Sequence, residues 1–77
     1  MINSQQSRAA RGILKWSQQK LADAADVALS TVADFENDKR EPISNNLSAI
    51  KRALERAGIE FIPAKNGKGI GARLRSG

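Results

Sequence analysis

The side chains available for chemistry in this sequence are hydroxyls, carboxylates, amides and basic groups, because histidine and cysteine are both absent. Histidine is the commonest general base, and thiolates serve as nucleophiles and as structural zinc ligands. No serine or lysine lies in a pattern that would activate it as a nucleophile. The glycine-rich run 67–71 lacks the strand–loop–helix setting of a phosphate loop. We therefore expect recognition rather than catalysis, with no cofactor and no bound metal.

The polar groups best placed for recognition fall in one stretch, SQQKLADAADVALSTVADFENDKR, which covers residues 17–40. Ser17 is a suitable N-cap for a helix with the sequence QQKLADAA. At helical spacing, the buried positions of this helix are Leu21, Ala22 and Ala25. The two alanines are small enough to let the backbone of a neighbouring helix approach closely.

A tight turn and a second helix are predicted next. Asp26 interrupts the helical pattern, and aspartate tolerates the left-handed backbone of a turn better than most non-glycine residues. Val27 is expected to plug the turn into the core. The second helix spans about 28–37, with Val32 and Phe35 turned inward. Four of its residues are left facing outward: Leu29, Ser30, Ala33 and Asp34.

Two helices joined in this way predict a helix-turn-helix, whose second helix brings its N-terminal side chains to base edges in the DNA major groove. The polar break NDKREP then ends the second helix, because proline prevents its simple continuation. The alternative reading is an ordinary pair of helices inside a small bundle.

A helix is also predicted before this stretch, over SQQSRAARGIL. Asn3 or Ser4 would cap it. Its expected buried positions are Ala10, Ile13 and Leu14. Trp16 is expected to anchor the core between helices.

The longest helix is predicted over NNLSAIKRALERA, with Ser44 as its N-cap. Its apolar stripe has a regular helical period and consists of Leu47, Ile50, Leu54 and Ala57. Gly58 is a natural C-terminal stop.

Beyond Gly58 the apolar period changes from helical to strand-like. The run 59–62 has the sequence IEFI, is β-like and ends at Pro63, and the run 70–75 alternates apolar and polar residues. The link AKNGKG is rich in turn formers, so a C-terminal β-hairpin is predicted. The alternative is a flexible basic tail, since the glycines weaken the second strand.

The formal net charge is +5 and the pI is near 10.3. Residues 61–77 carry four basic groups and no acid, namely Lys65, Lys68, Arg73 and Arg75. A basic excess favours polyanions such as nucleic acid, although it would also suit an acidic protein surface. The sequence has no signal-peptide pattern and no apolar run long enough to span a membrane. We expect a cytoplasmic protein without membrane contact, associated with the nucleoid when bound to DNA.

The stretch WSQQKLADAADVALSTVADFENDKREP resembles the Cro/CI-type (XRE family) helix-turn-helix regulators of phages and bacteria. It contains the pattern W-S-Q-x-x-L-A-x-x-A-x-V-x-x-x-T-V-x-x-F-E-x-x-x-R. The following NNLSAIKRALERAGIEFIP is similar to the small bacterial branch, in which a fourth helix precedes a short strand and a glycine-rich basic end. The resemblance covers roughly residues 8–75. It implies a mainly α, lambda-repressor-like bundle of four to five helices.

The resemblance also implies roles for particular residues. The positions that face DNA bases in this family are here Ala28, Leu29, Ser30 and Asp34. The positions where phosphate contacts are usual are here Gln18, Thr31, Asn37, Lys39 and Arg40. Glu36 matches a buried glutamate and Arg11 the arginine that pairs with it, as a structural salt bridge rather than a DNA contact. Aspartate stands at 26 and 38, where the family usually has glycine.

We expect a DNA-binding domain at 4–58, with the motif at 17–40, and a C-terminal hairpin or basic extension at 59–75 that serves dimerisation. We expect the protein to be a homodimeric transcriptional regulator that acts on inverted-repeat operators, most simply as a repressor. Autoregulation, in which such a regulator controls its own promoter, fits this expectation. The expected dimer surface is the fourth helix with the C-terminal strand, and no small-molecule ligand is expected. The alternative is a protein-interaction module of the same fold, such as an antiactivator or an antitoxin-like partner, that does not bind DNA.

Overall fold

The computed structural model describes residues 1–63 and 70–75. In chain order its elements are α1 (Ser4–Leu14), α2 (Gln18–Ala25), α3 (Leu29–Glu36), α4 (Ser44–Arg56), β1 (Ile59–Ile62) and β2 (Gly71–Leu74). The prediction of a mainly α fold with a C-terminal β-hairpin is therefore confirmed, with four helices among the described residues. The predicted turn AKNGKG, including Lys65 and Lys68, lies outside the described residues.

Helix α1 begins with a capping box at Asn3. The Asn3 side chain accepts from the Gln6 backbone N–H, and the Gln6 side chain accepts from the Asn3 backbone N–H. The prediction that Ile13 is buried was wrong, because 37% of this residue is exposed. The buried face of α1 runs instead through Ser7 and Ala10 and is partly polar, so apolar periodicity placed the face at the wrong angle.

The α2–turn–α3 unit forms as its sequence predicts. Ser17 caps α2, with its hydroxyl accepting from the Lys20 backbone N–H at 3.0 Å. Asp26 ends α2 in the left-handed conformation at φ 58°, as expected of the turn residue. Val27 is half-buried against the core. Ala28 is the N-cap of α3, and its carbonyl accepts from the Thr31 N–H at 3.0 Å.

The connection from α3 to α4 depends on another left-handed aspartate, Asp38, at φ 60°. Its carboxylate accepts from the Ser4 hydroxyl at 2.6 Å, which ties the connection to the start of α1. The prediction that Ser44 caps α4 was wrong by one position. The Ile43 carbonyl already accepts from the Leu47 N–H at 3.0 Å, so Ile43 is the cap residue and Ser44 is helical.

The core lies where α2 packs between α3 and α4. Its largest fully buried apolar side chains are Leu21, Val32, Ile50, Leu54 and Ile59. The predicted stripe of α4 is buried at Leu47, Ile50 and Leu54, whereas Ala57 is the half-buried C-cap and Ala53 takes its place. Trp16 packs on the edge of this core, with the Lys20 ammonium 5.6 Å from its ring centroid.

The C-terminal hairpin is antiparallel and docks on α1 and α4. Ile59 pairs with Leu74 at one end, and Ile62 pairs with Gly71 at the other. At this second end the Gln6 amide nitrogen lies 3.3 Å from the carbonyl oxygens of both paired residues. Gln6 therefore fastens the hairpin to α1. Among the described residues, the structure has no helix both long and apolar enough to cross a membrane.

The two left-handed aspartates give a matched test of backbone strain. We expect Asp26→Gly to raise the free energy of unfolding by up to about 1 kcal/mol, because glycine adopts this conformation without a steric cost. Asp38→Gly should give no such gain, because it also removes the acceptor of the Ser4 hydroxyl. Urea denaturation of both variants checks this. A destabilised Asp26→Gly variant would contradict the expectation.

Candidate nucleic-acid interface

The predicted base-reading residues lie on the outward side at the start of α3. Ala28 and Ser30 are exposed, and 43% of Leu29 is exposed although it is a large apolar residue. Asp34, one turn further along, is half-buried. Because helix side chains three or four positions apart share a face, Ser30 and Asp34 present a hydroxyl and a carboxylate on one side of α3.

A cleft separates this side of α3 from the start of α4. It brings together four of the predicted site residues with the connection that follows them, and its lining is Ser30, Thr31, Asp34, Arg40, Glu41, Pro42, Ile43 and Asn46. The Asp34 carbonyl accepts from the backbone N–H groups of Lys39 and Arg40, at 2.8 and 3.3 Å. These bonds fold the basic pair back beside α3.

The predicted phosphate-contacting residues outside α3 form two groups, one just after the end of α3 and one at the start of α2. Asn37, Lys39 and Arg40 are exposed, and Asn37 is the C-cap of α3. Gln18 is the first residue of α2 and is half-buried. Its side chain is turned toward the end of α3, where its amide nitrogen donates to Glu36 Oε1 at 3.1 Å.

Glu36, the last residue of α3, has a side chain with no exposed surface. Arg11 forms a salt bridge with it, with Nη2 2.7 Å from Oε1, and its Nε lies 2.9 and 3.0 Å from the two carboxylate oxygens. The Ser7 hydroxyl donates to Oε2 at 2.6 Å. With the bond from Gln18, donors from α1 and α2 thus surround the carboxylate of α3.

The surroundings of Glu36 oppose each other in their effect on its pKa. Burial raises the pKa of this carboxyl, because desolvation disfavours the charged form. The hydrogen bonds from Arg11, Ser7 and Gln18 and the positive charge of Arg11 lower it by more. The pKa of Glu36 is therefore below its ordinary value, and the group is ionised at neutral pH.

Two anchoring residues were missed by sequence reasoning. The Ser7 hydroxyl reaches Glu36, and the Arg8 guanidinium donates to the Glu36 backbone carbonyl at the end of α3. The available signal was spacing: Ser7 and Arg11 lie four positions apart and share one face of α1. A polar face on a buried helix indicates a buried polar partner, which here is Glu36.

The charge at this surface is mixed. Lys39 and Arg40 are basic, while Asp34, Asp38 and Glu41 lie beside them. The basic excess of the C-terminal segment is also partly offset, because Arg73 Nε lies 2.6 Å from Glu60 Oε1. Phosphate attraction therefore depends on where the basic groups lie rather than on net charge alone.

A sequence model of the helix-turn-helix family matches residues 8–60, which is more than half of the chain. The chain belongs to this family, and specifically to the Cro/CI-type (XRE) helix-turn-helix regulators, which bind DNA and are not catalytic domains. No curated protein matches the chain.

The lowered pKa of Glu36 predicts a pH dependence of stability. In the unfolded chain its pKa returns to about 4.5, so ionisation stabilises the fold fully above that pH. This stabilisation is lost as the pH falls through the lower folded-state value. We expect the free energy of unfolding, measured by urea denaturation between about pH 3 and 7, to fall on acidification, and to fall less steeply for Glu36→Gln.

A matched control is Glu55→Gln, which alters a partly exposed glutamate 4.0 Å from Lys51. Exposed ion pairs contribute little to stability, so the free energy of unfolding of this variant should fall on acidification as steeply as that of the unaltered chain. An equally steep fall for Glu36→Gln would show that other carboxylates cause the acid sensitivity.

Proposed function

We propose that this protein is a sequence-specific regulator of transcription, most simply a repressor, that binds inverted-repeat operators in double-stranded DNA as a homodimer. The observation that carries the proposal is the exposed N-terminal face of α3 within a helix-turn-helix of the Cro/CI type. In this arrangement the second helix enters the major groove while the first crosses the backbone.

The side chains of α3 suggest how bases are read. Leu29 offers an apolar surface for a thymine methyl group. Ser30 can donate or accept, and Asp34 can accept from a cytosine amino group. Ala28, at the N-cap, is small enough to admit a close approach of the bases.

Phosphate contacts would fix the register on the duplex. Gln18 lies at the N-terminus of α2, where the helix dipole favours an anion. Thr31 and Arg40 line the cleft beside α3, and Asn37 and Lys39 are exposed next to it. These five residues form two groups, one at the start of α2 and one around the end of α3.

Homodimerisation through α4 and the C-terminal strand is supported by exposed apolar groups on the hairpin. The exposed fractions are 37% for Ile62 and 45% for Leu74. A two-fold interface must also accommodate the arginines near the end of α4, because Arg52, Arg56 and Arg75 gather around Glu55. The two sets of like charges must therefore lie apart across the axis or face carboxylates.

The second candidate is a protein-interaction module of the same fold that does not bind DNA. It is favoured by the carboxylates of Asp34 and Glu41 in the cleft beside α3, which would repel phosphates unless they contact base donors. A basic protein surface would suit these carboxylates. The two candidates differ in whether the chain binds duplex DNA at low salt.

Substitutions at the two kinds of DNA contact should give different results. Replacing Leu29 and Ser30 together by alanine should reduce discrimination between the tightest duplex selected from a random-sequence pool and a scrambled version of it, because base contacts carry specificity. Arg40→Ala should weaken binding to both duplexes alike and reduce the slope of log affinity against log salt by about 1. Fluorescence anisotropy with duplexes selected from a random-sequence pool measures both effects.

Arg52→Ala is the matched control when binding to a duplex with one half-site is measured, because Arg52 is an exposed arginine outside the cleft and dimerisation does not enter that measurement. It should leave affinity and salt slope unchanged. The assignment fails if the Leu29/Ser30 double variant keeps full discrimination and Arg40→Ala behaves like this control. Absence of duplex binding by the unaltered chain at low salt would favour the protein-interaction module.

The dimer surface is tested by comparing two isoleucines of equal exposure. Ile62 on β1 and Ile13 on α1 are each 37% exposed. We expect Ile62→Asp to lower the dimer fraction in sedimentation equilibrium and to weaken binding to a two-half-site operator, whose half-sites lie about 34 Å apart, more than binding to one half-site. Ile13→Asp should leave both unchanged. Equal effects of both substitutions would exclude the hairpin as the dimer surface.

A further inference from the structure

The buried carboxylate of Glu36 contacts a side chain that is proposed to touch DNA. Gln18 donates from its amide nitrogen to Glu36 Oε1 at 3.1 Å. The same oxygen accepts from Arg11 Nη2 at 2.7 Å. The salt bridge between α1 and α3 is therefore joined directly to the first residue of α2.

The chemistry of the contact fixes which way the amide of Gln18 faces. An ionised carboxylate only accepts hydrogen bonds, so the nitrogen and not the oxygen of the amide must face Glu36. That nitrogen carries two hydrogens, which diverge in the amide plane. One is used by Glu36, and Gln18 is half-exposed, so the second is available to an acceptor outside the core.

A DNA phosphate suits this second hydrogen. Gln18 is the first residue of α2, and the N–H groups further along the first turn already have partners within Ser17. The Lys20 N–H donates to the Ser17 hydroxyl at 3.0 Å, and the Leu21 N–H donates to the Ser17 carbonyl at 3.1 Å. An anion at this helix end would therefore meet the earliest backbone N–H groups together with the Gln18 amide.

The carboxylate itself is held rigidly before any DNA arrives. Ser7 and Arg11 of α1 fill the remaining acceptor positions of Glu36, and Arg8 holds its backbone carbonyl. A glutamine side chain fixed in this way has already lost much of its rotamer freedom. Ordering a side chain on binding costs about two- to tenfold in affinity, and this cost is avoided when the side chain is ordered in advance.

We propose that Glu36 is a positioning residue for DNA binding, which holds the Gln18 amide so that its second N–H donates to a backbone phosphate. The proposal rests on the proposed DNA-binding function. It adds that the buried ion pair between α1 and α3 not only stabilises the fold but also sets how strongly Gln18, at the start of α2, binds a DNA phosphate.

A double-mutant cycle tests the coupling. Affinity for the tightest duplex selected from a random-sequence pool is measured for the unaltered chain, Gln18→Ala, Glu36→Met and the double variant. We expect Gln18→Ala to weaken binding about tenfold in the unaltered chain, because a hydrogen bond to a charged group is lost. In the Glu36→Met background the same change should cost less than about twofold.

Two controls separate positioning from stability. Ser7→Ala removes a partner of Glu36 on the side away from Gln18, so it should destabilise the fold and leave the tenfold effect of Gln18→Ala intact. If Glu36→Met fails to fold, the cycle is run with the double variant Arg11→Met/Glu36→Met in its place. Exchanging both partners of a buried ion pair for apolar residues is far better tolerated than removing one.

A chemical readout locates the phosphate. In a series of duplexes, each carries a single neutral methylphosphonate in place of one phosphate, and the modified position moves along the backbone from one duplex to the next. The affinity of each duplex is measured for the unaltered chain and for Glu36→Met. One position should cost the unaltered chain about tenfold and the variant less than about twofold, a pattern that a merely structural role would not produce.

Three outcomes are possible, and each decides the matter. Loss of the Gln18 effect and of the single-phosphate effect in Glu36→Met supports the proposal. If Gln18→Ala costs the same with and without Glu36 while duplex binding persists, Glu36 is structural only and the proposal is overturned. If the unaltered chain binds no duplex at low salt, the proposed function fails, and the positioning role fails with it.

Discussion

The buried carboxylate of Glu36 is the constraint on which the arrangement of the three N-terminal helices depends. It ends α3, yet its partners come from α1 and α2, namely Arg11, Ser7 and Gln18. A buried charge without partners would cost several kcal/mol or more, so its removal from water requires these donors to be in place. One ionised group thereby fixes how α3 is held against its neighbours, and α3 is the helix with the exposed face.

Much of this fold could be predicted because local rules and apolar pattern agree. Ser17 caps α2, Asp26 adopts the left-handed turn, and the strand-like runs after Gly58 pair as a hairpin. The error at Ile13 arose where burial is polar. Ile13 was placed in the core because apolar periodicity takes no account of a buried serine. Ser7 is buried because its hydroxyl donates to the Glu36 carboxylate.

The candidate site was predictable in its positions but not in its contacts. Resemblance to the family placed Ser30, Thr31, Asp34 and Arg40 at a common surface, and the structure brings all four to one cleft. The bond between Gln18 and Glu36 joins residues eighteen positions apart on different helices, and no periodicity encodes it.

The bonds from Gln6 to the hairpin have a consequence for the order of folding. They link Gln6 to residues 56 and 65 positions away in sequence, whereas α2, α3 and α4 are close neighbours along the chain. Closing so long a loop is entropically costly, and contacts of high sequence separation slow folding. We expect the three central helices to collapse first and the hairpin to dock against α1 last. The unit that carries the exposed face of α3 would then form before the hairpin closes the chain on itself.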